Sequence, residues 1–182
     1  VAEKPGPSKW AELREAQAMT LSLPNTAMAT AIDLGEADNV HPANKKEVGR
    51  RLALAARKAV YNEQLVHSGP VYDSMEIVGN QIVVTFDTQG SPLKADDLYG
   101  YVNGFSLARS DRKFERAKAY ILNENTVVVY HDTMINPVAV RYGWADNPHD
   151  LNLYNEAGLP ALPFRSDDWP GVTSESAEYS MQ

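Results

Sequence analysis

Apolar positions recur at two different periods along this chain, and the change of period falls near residue 65. In the first stretch they follow a helical spacing. Ser8 can cap a helix running to about Thr20, with Trp10, Leu13, Ala16 and Met19 recurring near the helical period. Leu23-Pro24-Asn25 breaks that pattern. Residues 26–34 (TAMATAIDL) are small and apolar on both faces, as in a strand buried in a parallel sheet. A loop over residues 35–42 follows, and then Asn44 with Glu47 reads as a capping box. The pattern predicts a helix from there to about Tyr61, burying Val48, Leu52, Ala55, Ala56 and Ala59. Lys45, Lys46, Arg50, Arg57 and Lys58 make up its polar face.

After Tyr61 the spacing shortens. Residues 65–70 (LVHSGP) read as a crossing linker or edge strand, and beyond them short β-type runs alternate with turn signals. Residues 75–78 and 81–86 flank Gly79-Asn80 as a hairpin, with Ile82, Val84 and Phe86 on one face. Residues 117–122 and 126–130 flank Asn123-Glu124-Asn125 as a second hairpin, and residues 137–144 (PVAVRYGW) form the last clear strand. Residues 145–167 are irregular. Leu151, Leu153, Tyr154, Leu159, Leu162 and Phe164 are placed to pin them onto a neighbouring surface. The fold class expected is α/β followed by all-β. The division is residues 1–65, a small β-sandwich over 66–167, and a flexible tail over 168–182.

Composition narrows the functional classes. Hydrophobic residues make up 43% and charged residues 23%, which calls for a packed core. A formal net charge of −7 argues against a nucleic-acid surface, and no apolar run is long enough to span a bilayer. With no cysteine there is no disulfide, no thiol nucleophile and no Cys-ligated zinc. The first residue is Val1, which reads as a processed or cut end, and a periplasmic or secreted location is expected.

The candidate chemistry sits in the loop before the second helix, at Asp38-Asn39-Val40-His41-Pro42. A serine hydroxyl is a weak nucleophile until an imidazole accepts its proton, and the imidazole needs a carboxylate to fix its tautomer. One short turn can present both groups. Pro42 biases His41 away from helical geometry and keeps the imidazole on the loop. In an open α/β sheet, ligands bind outside the carboxyl ends of the strands, where such a loop lies. The same residues also suit a plain helix-capping turn, with Asp38 bonded to local N–H groups.

Further segments bear on this choice. WAELREAQ (residues 10–17), residues 21–61 (LSLPNTAMATAIDLGEADNVHPANKKEVGRRLALAARKAVY), VYDSMEIVGNQIVVTF, NPVAVRYGWADNP and NLYNEAGLPALPFRSD occur in this order. Together they resemble the C-terminal portion of the sialate O-acetylesterases, serine carbohydrate esterases of the SGNH type. The resemblance implies that residues 1–65 are the last strand-loop-helix part of a flavodoxin-like SGNH hydrolase domain, and that Asp38 and His41 are the triad Asp and His. It also implies that the nucleophilic serine and the oxyanion hole lie on an N-terminal segment or companion chain. The substrate implied is an acetylated sugar, most plausibly O-acetylated sialic acid, with no metal or cofactor and no nucleic-acid or membrane partner.

Other residues suit the same roles less well. Ser68, Ser91, Ser106 and Ser110 do not lie in a strand-to-helix nucleophile turn. His67, His131 and His149 are scattered without ligand spacing. Arg141, Tyr142 and Trp144 suit either sugar stacking or a core face, and strand alternation favours the core. Asp96-Asp97 and Asp167-Asp168 read as loop charges. Three rival readings remain: a non-catalytic β-rich module that binds glycans or braces a partner, an esterase acting on acetyl xylan or another glycan, and a metal-dependent hydrolase using Asp38 and His41 as ligands.

Overall fold

The computed structural model describes residues 5–39 and 41–174. The described chain is mostly β with few helices. Gln81–Asp87 (β2) is the organising strand: Ile82, Val84 and Phe86 alternate onto one face and are almost fully buried. It pairs antiparallel with Val71–Val78 (β1) and with Thr126–Tyr130 (β7), and Lys118–Asn123 (β6) completes a four-stranded sheet in the order β1-β2-β7-β6. Both expected hairpins form. Val78 pairs with Gln81 across a two-residue turn in which Gly79 takes a φ of +60°, a conformation glycine reaches without Cβ strain.

A second four-stranded sheet runs Phe164–Arg165 (β10), Ala139–Tyr142 (β8), Phe105–Ala108 (β4), Phe114–Arg116 (β5). A short ladder joins Leu93–Ala95 (β3) to Leu153–Asn155 (β9). One core joins the sheets: Val84, Phe86, Val127 and Val129 from the first, Leu107, Val140, Tyr142 and Phe164 from the second, and Leu153 from the ladder. Phe164 stacks on Tyr72 at 4.3 Å and meets Phe86 edge-on at 5.8 Å. Burying each large apolar side chain here is worth roughly 1.5–3 kcal/mol, which is what holds this half together.

The segment 145–167 differs from its expected irregular form, because β9 and β10 lie within it. Each strand is only two or three residues long and carries no readable alternation. Its predicted anchors do hold, with Leu153, Leu159, Leu162 and Phe164 all buried. Asp167 is not a loop charge either. It takes two hydrogen bonds from Arg141, at 2.8 and 2.7 Å, in a nearly dry site. The linker before β1 is bound to this half. Asn155 Nδ2 donates to the Ser68 carbonyl at 3.0 Å, and a Cβ on Gly69 would stand 1.9 Å from the Pro160 carbonyl oxygen.

Before residue 61 the structure corrects the sequence reading in three places. The helices form as expected: Lys9–Met19 (α1), capped by the Ser8 hydroxyl, and Lys45–Ala59 (α2), capped by Asn44. Residues 26–34, however, form no strand. A parallel strand needs parallel neighbours to take its backbone hydrogen bonds, and among the described residues every named strand pairs antiparallel, none of them with residues 26–34. Leu52 and Ala56, expected to be buried, are exposed, and so are the periodic Trp10, Leu13 and Met19 of α1. What α2 buries is Arg51 and Ala55, with Val48, Leu54 and Ala59 half-buried beside them.

The polypeptide after β10 returns to α1. The Glu12 carboxylate accepts the Val172 N–H at 2.7 Å and the Thr173 N–H at 3.0 Å. The rest of the expected tail, residues 175–182, lies outside the described residues. Among the described residues no helix is long and apolar enough to cross a membrane.

Candidate active site

The loop of residues 35–44 is built by Glu36. Its carboxylate accepts the Ala43 N–H at 3.0 Å and the Asn39 side-chain amide at 3.5 Å, and its carbonyl accepts the Asn39 N–H at 3.1 Å. Asn39 in turn accepts the His41 N–H on Oδ1 at 2.9 Å, an Asx turn that fixes the backbone just before Pro42. Asn44 Oδ1 then accepts the Glu47 N–H at 3.1 Å and starts α2. Only half of the capping box forms, because the Glu47 carboxylate turns away to Arg50 and Arg51.

Asp38 and His41 both lie on the exposed surface of this loop. No hydrogen bond or ion pair joins their side chains, and none engages either with another described residue. The local bonds that a capping turn needs are made by Glu36, Asn39 and Asn44 instead. The structure thus brings the Asp and the His into one turn beside the N-terminus of α2, but it does not couple them. Chemically, an exposed imidazole next to an exposed carboxylate can move a proton at a surface once a third group closes the site.

Below the loop lies a buried charge network that the sequence reading did not find. Arg51, only 4% exposed, forks onto Asp33 with hydrogen bonds of 2.6 and 2.8 Å. The same guanidinium donates to the Thr30 carbonyl at 2.8 Å and to Glu47 at 3.0 Å. Tyr154, on β9, donates its hydroxyl to Asp33 at 3.4 Å. Segment 30–33, α2 and the β-rich half therefore meet at one carboxylate. The Arg50 hydrogen bond, with Arg51 behind it and burial opposing, pulls the Glu47 carboxyl down to about 2. Burial works against the Arg51 charge, but the Asp33 and Glu47 carboxylates outweigh it and raise its pKa. Burial first, then Asp33, raises that of the Tyr154 phenol. The i,i+4 spacing of Glu47 and Arg51 was visible in the sequence; the Asp33 contact, across a loop, was not.

The remaining candidates are engaged elsewhere. Arg141 lies between the Phe114 ring (4.1 Å) and the Trp144 ring (4.8 Å) while paired to Asp167, and Tyr142 is part of the core. Neither aromatic face is open for a sugar. Ser106 is buried in β4, and the Ser91 hydroxyl accepts the Ala157 N–H at 3.0 Å. His131 Nδ1 accepts the Met134 N–H at 3.1 Å, and His149 is hydrogen-bonded to Asn147 at 3.0 Å. Burial, with Lys58 nearby, lowers the His67 pKa. Among the described residues no three His, Asp or Glu side chains are grouped to hold a metal ion.

No family profile matches this chain. It is 30% identical over 171 residues to the human sialate O-acetylesterase, covering 86% of this chain and 32% of that protein. It is 28% identical over 170 residues to the sialate O-acetylesterase of Pongo abelii, with the same coverage. Its fold matches the crystal structure of a carbohydrate acetylesterase from Xanthomonas citri with a TM-score of 0.85 and 48% identity, over 89% of this chain and 37% of that one. The chain thus spans about a third of the length of the curated relatives it matches. Likeness of sequence and of fold, over most of this chain's length, both support the sialate O-acetylesterase family.

Proposed function

We propose that this chain is the C-terminal portion of a serine esterase that removes O-acetyl groups from sugars, O-acetylated sialic acid being the preferred substrate. In this reading residues 1–65 close an SGNH-type catalytic domain and residues 66–167 form a β-sandwich accessory domain. The observation that carries it is the loop of residues 35–44. Its backbone is held by Glu36 and Asn39, while the side chains of Asp38 and His41 stay exposed and unengaged among the described residues. A turn with only a capping role has no use for those two groups.

The serine that attacks the acetyl carbonyl, and the donors that stabilise the resulting oxyanion, come from the part of the esterase that this chain does not span. His41 takes the proton from the serine hydroxyl as its oxygen bonds to the carbonyl carbon. It then gives that proton to the departing sugar oxygen. Water, deprotonated by the same imidazole, releases acetate and restores the serine. Asp38 accepts the other imidazole N–H, fixing the tautomer and stabilising the imidazolium.

The test is turnover of an O-acetylated sialic acid by the complete esterase containing this chain. His41→Ala is expected to lower kcat by at least about a thousandfold with an unchanged melting temperature. Asp38→Asn is expected to cost less but to remain severe. Activity surviving His41→Ala would sink the assignment. Loss of activity on adding a chelator would instead favour Asp38 and His41 as metal ligands.

A further inference from the structure

A cleft of about 620 Å³ opens between the turn of residues 109–113, which joins β4 to β5, and the chain that returns from β10 to α1. That size is ordinary for a site that holds a small ligand. Its charge is the reverse of the chain's. The whole sequence carries a net −7, yet Arg112, Lys113, Arg141 and Arg165 line the cleft against one carboxylate, that of Glu12. The Glu12 oxygens are engaged by the Val172 and Thr173 N–H groups. Arg141 is paired with Asp167, and Arg165 with Glu15. Arg112 and Lys113 have no carboxylate partner among the described residues, whereas Arg50, Arg51, Arg57 and Arg109 each have one.

An aromatic wall stands beside these two cations. Trp169 is half-buried, with its ring 5.7 Å from that of Phe114 and its carbonyl accepting from Arg165 at 2.7 Å. The Arg112 guanidinium lies over the Trp169 ring at 5.5 Å. Trp144, deeper in, is covered by Arg141 and Arg165, at 4.8 and 5.3 Å from its ring. Trp169 is therefore the indole that this cleft presents to a ligand. Arg112 reaches it from a backbone φ of +63°, a left-handed conformation that glycine would adopt without strain.

We infer that this cleft is a second, non-catalytic binding site for a sugar that bears a carboxylate. It shares no residue with the loop of residues 35–44. The Arg112 guanidinium matches a carboxylate with two parallel N–H donors, and the Lys113 ammonium takes a remaining oxygen. The Trp169 ring packs on the C–H face of the pyranose, and the sugar hydroxyls stay in water at the rim. A simple anion would need only the cations, and an apolar ligand only the ring; the two together fit an acidic sugar. The inference rests on the proposed function for the reading that this sugar belongs to the glycan whose ester is cleaved. It adds a place where that glycan is held apart from the reacting ester.

Isothermal titration of the complete esterase with sialyllactose, which has the carboxylate and no acetyl ester, tests the site. Lactose is the neutral control. The expected result is saturable binding that lactose does not reproduce, weakened about tenfold or more by Arg112→Gly, by Lys113→Ala and by Trp169→Ala. The glycine variant removes the guanidinium and keeps the turn in a conformation glycine favours, so its melting temperature should be unchanged. With an O-acetylated sialyl oligosaccharide, Arg112→Gly should raise KM about tenfold and leave kcat as it was. Turnover of nitrophenyl acetate, too small to reach the cleft, should not change. Sialyllactose binding that all three variants leave intact overturns the inference. So does lactose binding as tightly as sialyllactose, or inorganic phosphate binding as tightly with no dependence on Trp169. Binding through Arg112 without hydrolysis of the O-acetylated sugar counts against the esterase reading alone. Hydrolysis with a KM indifferent to Arg112, and sialyllactose binding equally indifferent, counts against the cleft alone.

Discussion

The two halves of this chain use hydrophobic residues in opposite ways. The β-rich half, from β1 to β10, directs its alternating apolar positions into a core it completes itself, with Ile82, Val84, Leu107 and Val140 wholly buried. Among the described residues the helical half contributes nothing to that core. Leu52, Trp10 and Leu13 face outward, and a charge network around Arg51 and Asp33 holds α2 in place. The difference shows that an amphipathic pattern records burial in the whole fold for which a segment was selected. Where both partners of a contact lie in the chain, the pattern and the structure agree.

The contrast can be broken most forcefully by removing a core ring. Phe86→Ala should lower the unfolding free energy of the β-rich half by about 3–5 kcal/mol in urea denaturation, because the cavity it leaves lies between both sheets. A smaller loss contradicts the single shared core. Next comes Arg51→Ala, which strands the buried Asp33 carboxylate and costs about 1–3 kcal/mol. Hydrogen exchange should show α2 losing protection while β2 and β7 keep theirs. Coincident loss in both halves would mean that the two are one cooperative unit.

Acid sharpens the comparison further. The Glu47 carboxyl is held at about 2, below its ordinary 4.5, so its folded pKa is depressed. Its contribution is therefore fully present above about pH 4.5 and is lost as the pH falls from there toward 2. Circular dichroism should show helical signal fading across that window, and Glu47→Gln should flatten this dependence. The smallest effect belongs to Leu52→Ala, which should change the stability of this chain alone by no more than about 0.5 kcal/mol, since the side chain stands in water. A cost of 2 kcal/mol would place Leu52 in a core after all.

Legibility followed the same division. Alternation in residues 81–86, the Gly79-Asn80 turn and the Ser8 and Asn44 caps were readable because each depends on neighbours in sequence. The strands β9 and β10 were not, being two or three residues long and fixed by partners at β3 and β8 far along the chain. Asp167 looked like a loop charge because its partner, Arg141, lies 26 residues away. At the candidate site, Asp38 and His41 could be picked out by spacing and by family resemblance. Glu36, which shapes their loop, and Asp33 with Arg51 and Tyr154, which anchor what lies beneath it, act through contacts that no local pattern encodes.

The central claim is that this chain carries the acid–base pair of an esterase whose nucleophile lies outside it. Denaturing mass spectrometry after treating the complete esterase with a fluorophosphonate serine probe tests that claim most directly. The account predicts one adduct, on a serine outside these 182 residues, and its disappearance in His41→Ala. An adduct on a serine of this chain, or labelling that persists without His41, would contradict it.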